Sequence, residues 1–196
     1  MASDPVILAF DTSAAHCAAA LLSSGRIIAS HAEEMGRGQA ERLVPLLEEL
    51  LQGQNLEWSG LDAMGVGVGP GNFTGIRISV SLARGLALSL EKPVYGVDGF
   101  QARRESTGAA GAISIPGPRG QVYVRADGSP PDLTDGAQAR DRLGPFPAEP
   151  TPSDLAAAIA RVAARRWPEP APPPAPLYLR APNAAPSRDA PPVLLD

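Results

Sequence analysis

The stretch from Met64 to Val97 constrains the fold of this chain more than any other. A short apolar run ends in a glycine-rich turn at Gly69–Arg77, and a long helical pattern, about Phe73 to Leu90, begins at once. Pro93 ends that pattern, and Val94–Val97 has the composition of a further strand. A strand that runs through a tight turn into a helix N-terminus is a unit of parallel α/β sheets. The rest of the first half must therefore supply the sheet on which this unit packs.

The turn itself has three positions with a conformational meaning. Pro70 and Gly71 suit the second and third residues of a type II turn, which needs a positive φ at the third. Asn72 or Thr74 is predicted to cap the helix that follows. Within this helix the small residues recur every fourth position, namely at Gly75, Ser79, Ala83 and Ala87. Such a row permits close packing, either on the chain's own sheet or on a partner subunit.

The preceding residues predict three antiparallel strands, a helix and a fourth strand. The strands are Val6–Phe10, Cys17–Leu22, Arg26–Ala32 and Leu61–Val68. Leucines at helical spacing predict a helix over Gly38–Leu51, which Pro45 would kink or shorten to a start near Arg42. The resulting order, βββαβαβ, is that of a ribonuclease-H-like α/β sheet, which the actin-like ATPase superfamily uses twice per molecule.

Proline divides the chain near residue 100. All but four of the 22 prolines lie after it, so we place a domain boundary at Gly99–Ser106. The second half predicts strands at Ala112–Ile115 and Gln121–Ala126, a helix over Asp154–Trp167 capped by Ser153, and a polyproline-type linker. The linker covers residues 168–176. The predicted division is a first lobe at 1–100, a trimmed second α/β lobe at 101–181 and a loose C-terminal tail at 182–196.

Composition excludes several classes of protein. A net charge of −4 argues against a chain that binds nucleic acid alone, because that requires clustered cations. The single cysteine, Cys17, cannot form an internal disulfide and fits a reducing compartment. No apolar run approaches the ~18 residues of a membrane span. We expect a cytoplasmic protein with no membrane contact.

Four segments together resemble the TsaB family, also called YeaZ. They are Phe10-Asp11-Thr12-Ser13, Glu41-Arg42-Leu43-Val44-Pro45, the turn and helix start Gly69–Arg77, and Lys92-Pro93-Val94-Tyr95-Gly96-Val97. Pro176-Leu177-Tyr178-Leu179-Arg180 is similar to a further motif near the family's C-terminus. The resemblance is dense over residues 6–100, thin over 101–175, and returns at 176–188.

The resemblance implies an accessory role in tRNA modification. The family is the non-catalytic subunit of the bacterial threonylcarbamoyladenosine machinery and pairs with a catalytic paralogue, TsaD, through first-lobe helices. With the ATPase TsaE, that complex forms N6-threonylcarbamoyladenosine at position 37 of tRNAs reading ANN codons. By this resemblance, tRNA would be reached only through the complex.

The paralogue's metal ligands have no equivalent in this chain. The resemblance puts Gly99 and Arg103 at the two histidine positions, and neither side chain can ligate a transition metal. His16 and His31 lie on separate predicted elements and are expected to be ordinary polar histidines. We therefore expect no catalytic residue, no metal site and no cofactor held by this chain alone. The alternative is a free-standing actin-like ATPase or metallopeptidase-like enzyme.

Two sets of site residues follow from these arguments. Fold analogy gives nucleotide contacts, with ADP or ATP at the partner interface as the ligand, at Asp11, Thr12, Ser13, Gly69 and Gly71. The two predicted helices of the first lobe, Gln39–Leu51 and Phe73–Leu90, are expected to form the docking surface. Their predicted partner contacts are Leu43, Leu47, Leu50, Ile76, Ser79, Val80, Ala83 and Ala87. A homodimer formed through the same helices is a further alternative. Gln39 and Pro116 depart from the family pattern, where histidine precedes the Glu-Arg-Leu-Leu-Pro stretch and an aspartate precedes Gly120-Gln121-Val122-Tyr123.

Overall fold

Two β-sheets make up the framework of the protein. The computed structural model describes residues 4–179; the predicted tail at 182–196, and Arg180 of the C-terminal motif, lie outside that range. The first sheet has the strand order β3-β2-β1-β4-β5, and the second has the order β6-β7-β8. Most of the buried apolar residues lie in the first sheet and in the helices that pack on it.

The first sheet is mixed, as its sequence predicts. Its strands are β1 (Ile7–Asp11), β2 (His16–Ser23), β3 (Arg26–Glu34), β4 (Ala63–Gly67) and β5 (Val94–Val97). The first three pair antiparallel, whereas β1, β4 and β5 pair parallel. Every residue of β1 and β4 is buried, which is typical of central strands covered on both faces. The βββαβαβ order is confirmed.

Two helices cover one face of this sheet. Helix α1 (Gln39–Gln52) and helix α2 (Phe73–Leu90) bury their apolar sides against Leu8, Phe10 and Met64. Pro45 lies inside α1, and the helix begins at Gln39 rather than near Arg42. The side chain of Asn72 accepts a hydrogen bond from the Gly75 N–H, so the predicted N-cap of α2 is confirmed.

The opposite face is covered by a helix from the second half of the chain. Helix α5 (Pro152–Arg166) packs on β1, β2, β4 and β5, and its Leu155, Ile159 and Ala163 join one apolar cluster with Ile7 and Tyr95. A cut at residue 100 would remove the helix that covers this face. The predicted boundary therefore separates the strands of the two sheets but not their cores.

The second sheet is small and flanked by short helices. Its strands are β6 (Ile113–Pro116), β7 (Gln121–Arg125) and β8 (Asp132–Asp135), all antiparallel, with α3 (Gly99–Thr107) before them and α4 (Gly136–Leu143) after. The first two strands confirm the prediction. The sequence analysis missed β8, α3 and α4, because they are short and carry no apolar periodicity.

Three local predictions are wrong. Thr151, not Ser153, caps α5, because its hydroxyl accepts the Asp154 N–H. The turn after β4 is not type II: the positive φ falls on Gly69, at 92°, and the Gly69–Pro70 peptide is cis. The segment after α5 is not a free linker, since Glu169 accepts a hydrogen bond from the Tyr95 hydroxyl and Pro174 is buried.

Candidate functional site

A cleft of about 780 Å³ lies between the two sheets. One wall comes from the turn after β1 and the start of α2, and the other comes from β6 and β7. The start of α5 and the segment 177–179 close its ends. Its polar lining consists of Ser13, His16, Asn72, Arg103 and Glu149. This volume is in the range of pockets that take small molecules.

A buried aspartate and histidine stand at one side of the cleft. Asp11 ends β1 and is 3% exposed, and its Oδ2 lies 2.8 Å from Nε2 of His16 and 2.9 Å from the hydroxyl of Ser13. Oδ1 has no hydrogen-bond partner among the described residues. It lies against Gly67 of the neighbouring strand, where an added Cβ would be 1.9 Å away. His16 is therefore a buried partner of Asp11, a pairing that the sequence analysis missed.

Gln39 holds the loop that carries these groups. Its amide nitrogen donates to the backbone oxygens of Ala14 at 2.7 Å and His16 at 2.9 Å. Because Gln39 is itself 7% exposed, its loss would leave buried carbonyls without donors. The family departure at this position thus supplies a side chain that orders the loop between β1 and β2.

The glycines of the turn are needed for close approach within the chain. A Cβ on Gly71 would lie 2.1 Å from the carbonyl oxygen of Ser13, and one on Gly75 would lie 1.9 Å from that of Thr12. The N–H of Asn72 donates to the carbonyl oxygen of Ser13, and the Thr12 hydroxyl donates to the carbonyl oxygen of Gly75. The loop after β1 therefore packs directly on the turn and on the first turn of α2.

This geometry changes the predicted nucleotide contacts. Thr12 is fully buried and Asp11 nearly so, while Gly69 packs against the side chain of Ile76. These three are excluded as surface contacts to a nucleotide. Ser13 and Gly71 line the cleft, and only these two remain candidates.

Arg103 occupies the wall of the cleft near the start of the second sheet. It is 8% exposed and its guanidinium forms an ion pair with Glu149. It also donates to the carbonyl of Gly99, one turn earlier on α3.

Residues 4–179 contain no group of three or more His, Cys, Asp or Glu side chains that could hold a metal ion. The departure at Pro116 places a proline in the cleft wall.

The side chains predicted to contact a partner are buried inside this chain. Leu43, Leu47, Leu50, Ile76, Ser79, Val80 and Ala83 are each at most 9% exposed, and Ala87 is half-buried. They pack on the chain's own sheet, with the Ser79 hydroxyl donating to the carbonyl of Gly67. For the seven buried residues the predicted surface contact is wrong, whereas Ala87 stays a prediction. Within the row of small residues, Ser79 contacts β4 and Gly75 lies against the carbonyl of Thr12.

The side of α2 that faces away from the sheet carries exposed apolar residues among the exposed Arg77, Ser81 and Arg84. Leu88 is 84% exposed, and Ile78 and Leu82 are half-buried. A Cβ added to Gly85 would have no neighbouring atom within 4 Å. Val44 of α1 is 36% exposed. We call Val44, Ile78, Leu82, Gly85 and Leu88 the α1–α2 face.

By length and composition, α2 could cross a membrane, with a mean hydropathy of 1.2 over 18 residues and 28% of them buried. The expectation that no run approaches this length overlooked α2. In this structure α2 packs on the first sheet. One or two such helices are weak indicators, because core helices pass the same test.

Comparison with known proteins places the chain in a family. Residues 26–129, more than half of it, match the family model "TsaD: tRNA N6-adenosine threonylcarbamoyltransferase". The Escherichia coli tRNA threonylcarbamoyladenosine biosynthesis protein TsaB is 38% identical over 91 residues, which are 46% of this chain and 39% of that protein. The Bacillus subtilis protein of the same name is 32% identical over 121 residues, which are 60% of this chain and 53% of that protein.

Longer matches extend the likeness to most of the chain. An uncharacterised protein of Mycobacterium tuberculosis is 33% identical over 172 residues, covering 76% of this chain and 79% of that protein. The structure of YeaZ from Pseudomonas aeruginosa superimposes with a TM-score of 0.69 at 28% identity, covering 89% of this chain and all of that one. The chain spans only about two fifths of the length of the first curated TsaB relatives. It has the actin-like, ribonuclease-H-like α/β fold and belongs to the TsaB (YeaZ) family.

Proposed function

We propose that this chain is a non-catalytic partner subunit that binds and activates a TsaD threonylcarbamoyltransferase. The complex would form N6-threonylcarbamoyladenosine at position 37 of tRNAs reading ANN codons. Membership of a family whose curated members are named for this pathway supports the proposal. The matching family model, named for the transferase itself, supports a common ancestry with the partner.

The observation that carries the proposal is the α1–α2 face. A helix with a mean hydropathy of 1.2 leaves Leu88 almost fully exposed and Ile78 and Leu82 half-buried. An apolar helix side of this kind is a common feature of protein–protein interfaces. A related α/β subunit that places its own helices there would bury these side chains.

Catalysis is assigned to the partner. The side chains at the paralogue's metal positions are a glycine and an arginine that is paired with Glu149. Because Asp11 and Thr12 are buried and Gly69 packs against Ile76, we propose that ADP or ATP is held at the interface with the partner and not by this chain alone. The net charge of −4 favours tRNA contact through the complex, with TsaE joining there, in the cytoplasm.

Co-purification with TsaD tests the docking surface. We expect Leu88→Arg and Val44→Arg to reduce capture of TsaD at least tenfold, because each places a charge in a desolvated contact. The matched control is Ile28→Arg on β3, since Ile28 is 39% exposed and belongs to neither helix. Undiminished capture with Leu88→Arg would contradict the assignment of the face.

Two further measurements separate the alternatives. If the chain alone is a homodimer through this face, mixing with TsaD should replace the homodimer by a species whose mass is the sum of one copy of this chain and one TsaD. Nucleotide turnover or stoichiometric metal in the chain without TsaD would instead support the free-standing enzyme.

A further inference from the structure

We propose that the cleft binds a small anionic molecule with an apolar body. Arg103 takes its carboxylate or phosphate group, and Glu149 occupies that position when the cleft is empty. This proposal is independent of the docking of TsaD, since it uses a different surface.

Arg103 is a fixed cation. It projects from the second turn of α3, is 8% exposed, and is held by the carbonyl of Gly99 at 3.2 Å. A guanidinium buried to this extent needs an anion, because an unpaired buried charge is strongly destabilising. Its Nε donates to Oε2 of Glu149 at 3.1 Å, and Nη2 donates to Oε1. This fork-to-carboxylate geometry is the one that also recognises ligand carboxylates and phosphates.

Glu149 is the movable half of the pair. It lies between α4 and α5, where residues 144–150 form no helix or strand, and its side chain is 46% exposed. Its half-exposed carboxylate can turn to solvent once another anion pairs with Arg103, whereas the buried Arg103 stays in the wall. An incoming anion would therefore replace Glu149 without moving an element of the fold.

The remainder of the cleft suits an apolar body. Ile115, Tyr123, Leu155 and Leu177 line it. Its volume of about 780 Å³ is in the range of pockets that bind small molecules. Both charged residues, Arg103 and Glu149, line the same cavity as these apolar side chains. The observations thus predict a ligand with one anionic group and an apolar or aromatic remainder.

Calorimetric titration of the full chain tests this prediction. The probes are benzoate, phenyl phosphate and the neutral analogue benzamide. We expect one or both anions to bind, and Glu149→Gln to tighten anion binding by about tenfold or more, since it frees a charged donor pair. The affinity for benzamide should be the same in Glu149→Gln as in the unchanged chain. The tighter anion shows whether the natural group is a carboxylate or a phosphate.

Two variants control the experiment. Glu105→Gln breaks a similar arginine pair outside the cleft, that with Arg165, and should leave anion binding unchanged. The double variant Arg103→Gln with Glu149→Gln removes both charges, so that neither is left unpaired, and should lose the gain. Failure of any anion to bind Glu149→Gln, or an equal gain for benzamide, would overturn the proposal.

Discussion

At the scale of single residues, two glycines of α2 give opposite predictions for the same substitution. Gly75→Ala places a methyl group 1.9 Å from the carbonyl oxygen of Thr12, so the loop after β1 must move. Gly85→Ala adds a methyl group in open space and removes a helix-interior glycine. We expect a loss of about 2 kcal/mol or more for the first and a gain of about 0.5–1 kcal/mol for the second.

Urea denaturation of both variants measures this difference directly. Because the two glycines lie in one helix, effects of the helix as a whole cancel in the comparison. Equal destabilisation by the two alanines would show that the contact between Gly75 and Thr12 is not tight.

Cys17 gives a prediction for alkaline pH. It is fully buried, and burial raises the pKa of its thiol from 9.0 to about 11. The folded state keeps the proton that the unfolded state loses, so this contribution is present below pH 9 and is lost as the pH rises towards 11. At pH 10 the loss should be about 1 kcal/mol, and it should disappear in Cys17→Ala. Denaturation midpoints of the two proteins between pH 8 and pH 10 measure it. Parallel pH profiles would contradict it.

At the scale of elements, the start of α5 separates two candidate caps. The Thr151 hydroxyl accepts the Asp154 N–H at 3.1 Å. The sequence analysis instead favoured Ser153, which lies inside the helix. Thr151→Ala should cost about 1 kcal/mol, and Ser153→Ala should change stability by less than about 0.5 kcal/mol. The reverse order in thermal denaturation would restore the sequence-based assignment.

The elements of the first half were predictable because their signals are local. Asn72 and Pro93 bracket α2, Pro93 directly precedes β5, and the alternation of apolar runs with turns marks the strands. The neighbour against which the small residues of α2 pack was not predictable in the same way. A row of small residues allows close approach, but only the fold shows that β4, with Gly67, is the neighbour.

The candidate site depends on contacts that no local pattern encodes. Arg103 and Glu149 are 46 residues apart, and Glu149 lies in a segment with no periodicity. Asp11 and His16 flank one turn, yet their pairing depends on the loop conformation that Gln39 holds. Composition and spacing could not predict either pair.

At the scale of the whole molecule, the sheet of the first lobe needs the second half of the chain. Residues 1–100 alone would expose Ile7, Tyr95 and Val97, which α5 and its neighbours bury. We expect this fragment to be unfolded or aggregated, and we expect a fragment that joins residues 4–107 to α5 by a flexible linker to fold. Dispersed amide resonances in the NMR spectrum of residues 1–100 alone would contradict this.

The molecule presents two separate surfaces with different tasks. The α1–α2 face is apolar and suits a protein partner, whereas the cleft pairs one buried cation with an apolar lining. Because they share no residue, variants of one should leave the other intact. This independence allows each proposal to fail alone.

Reconstituted tRNA modification tests the partner role most directly. TsaD from the same organism would be supplied with threonylcarbamoyl adenylate, TsaE, ATP and a tRNA that reads an ANN codon, with or without this chain. We predict N6-threonylcarbamoyladenosine only when the chain is present, restored by Ile28→Arg but not by Leu88→Arg. Equal modification without the chain would contradict the account.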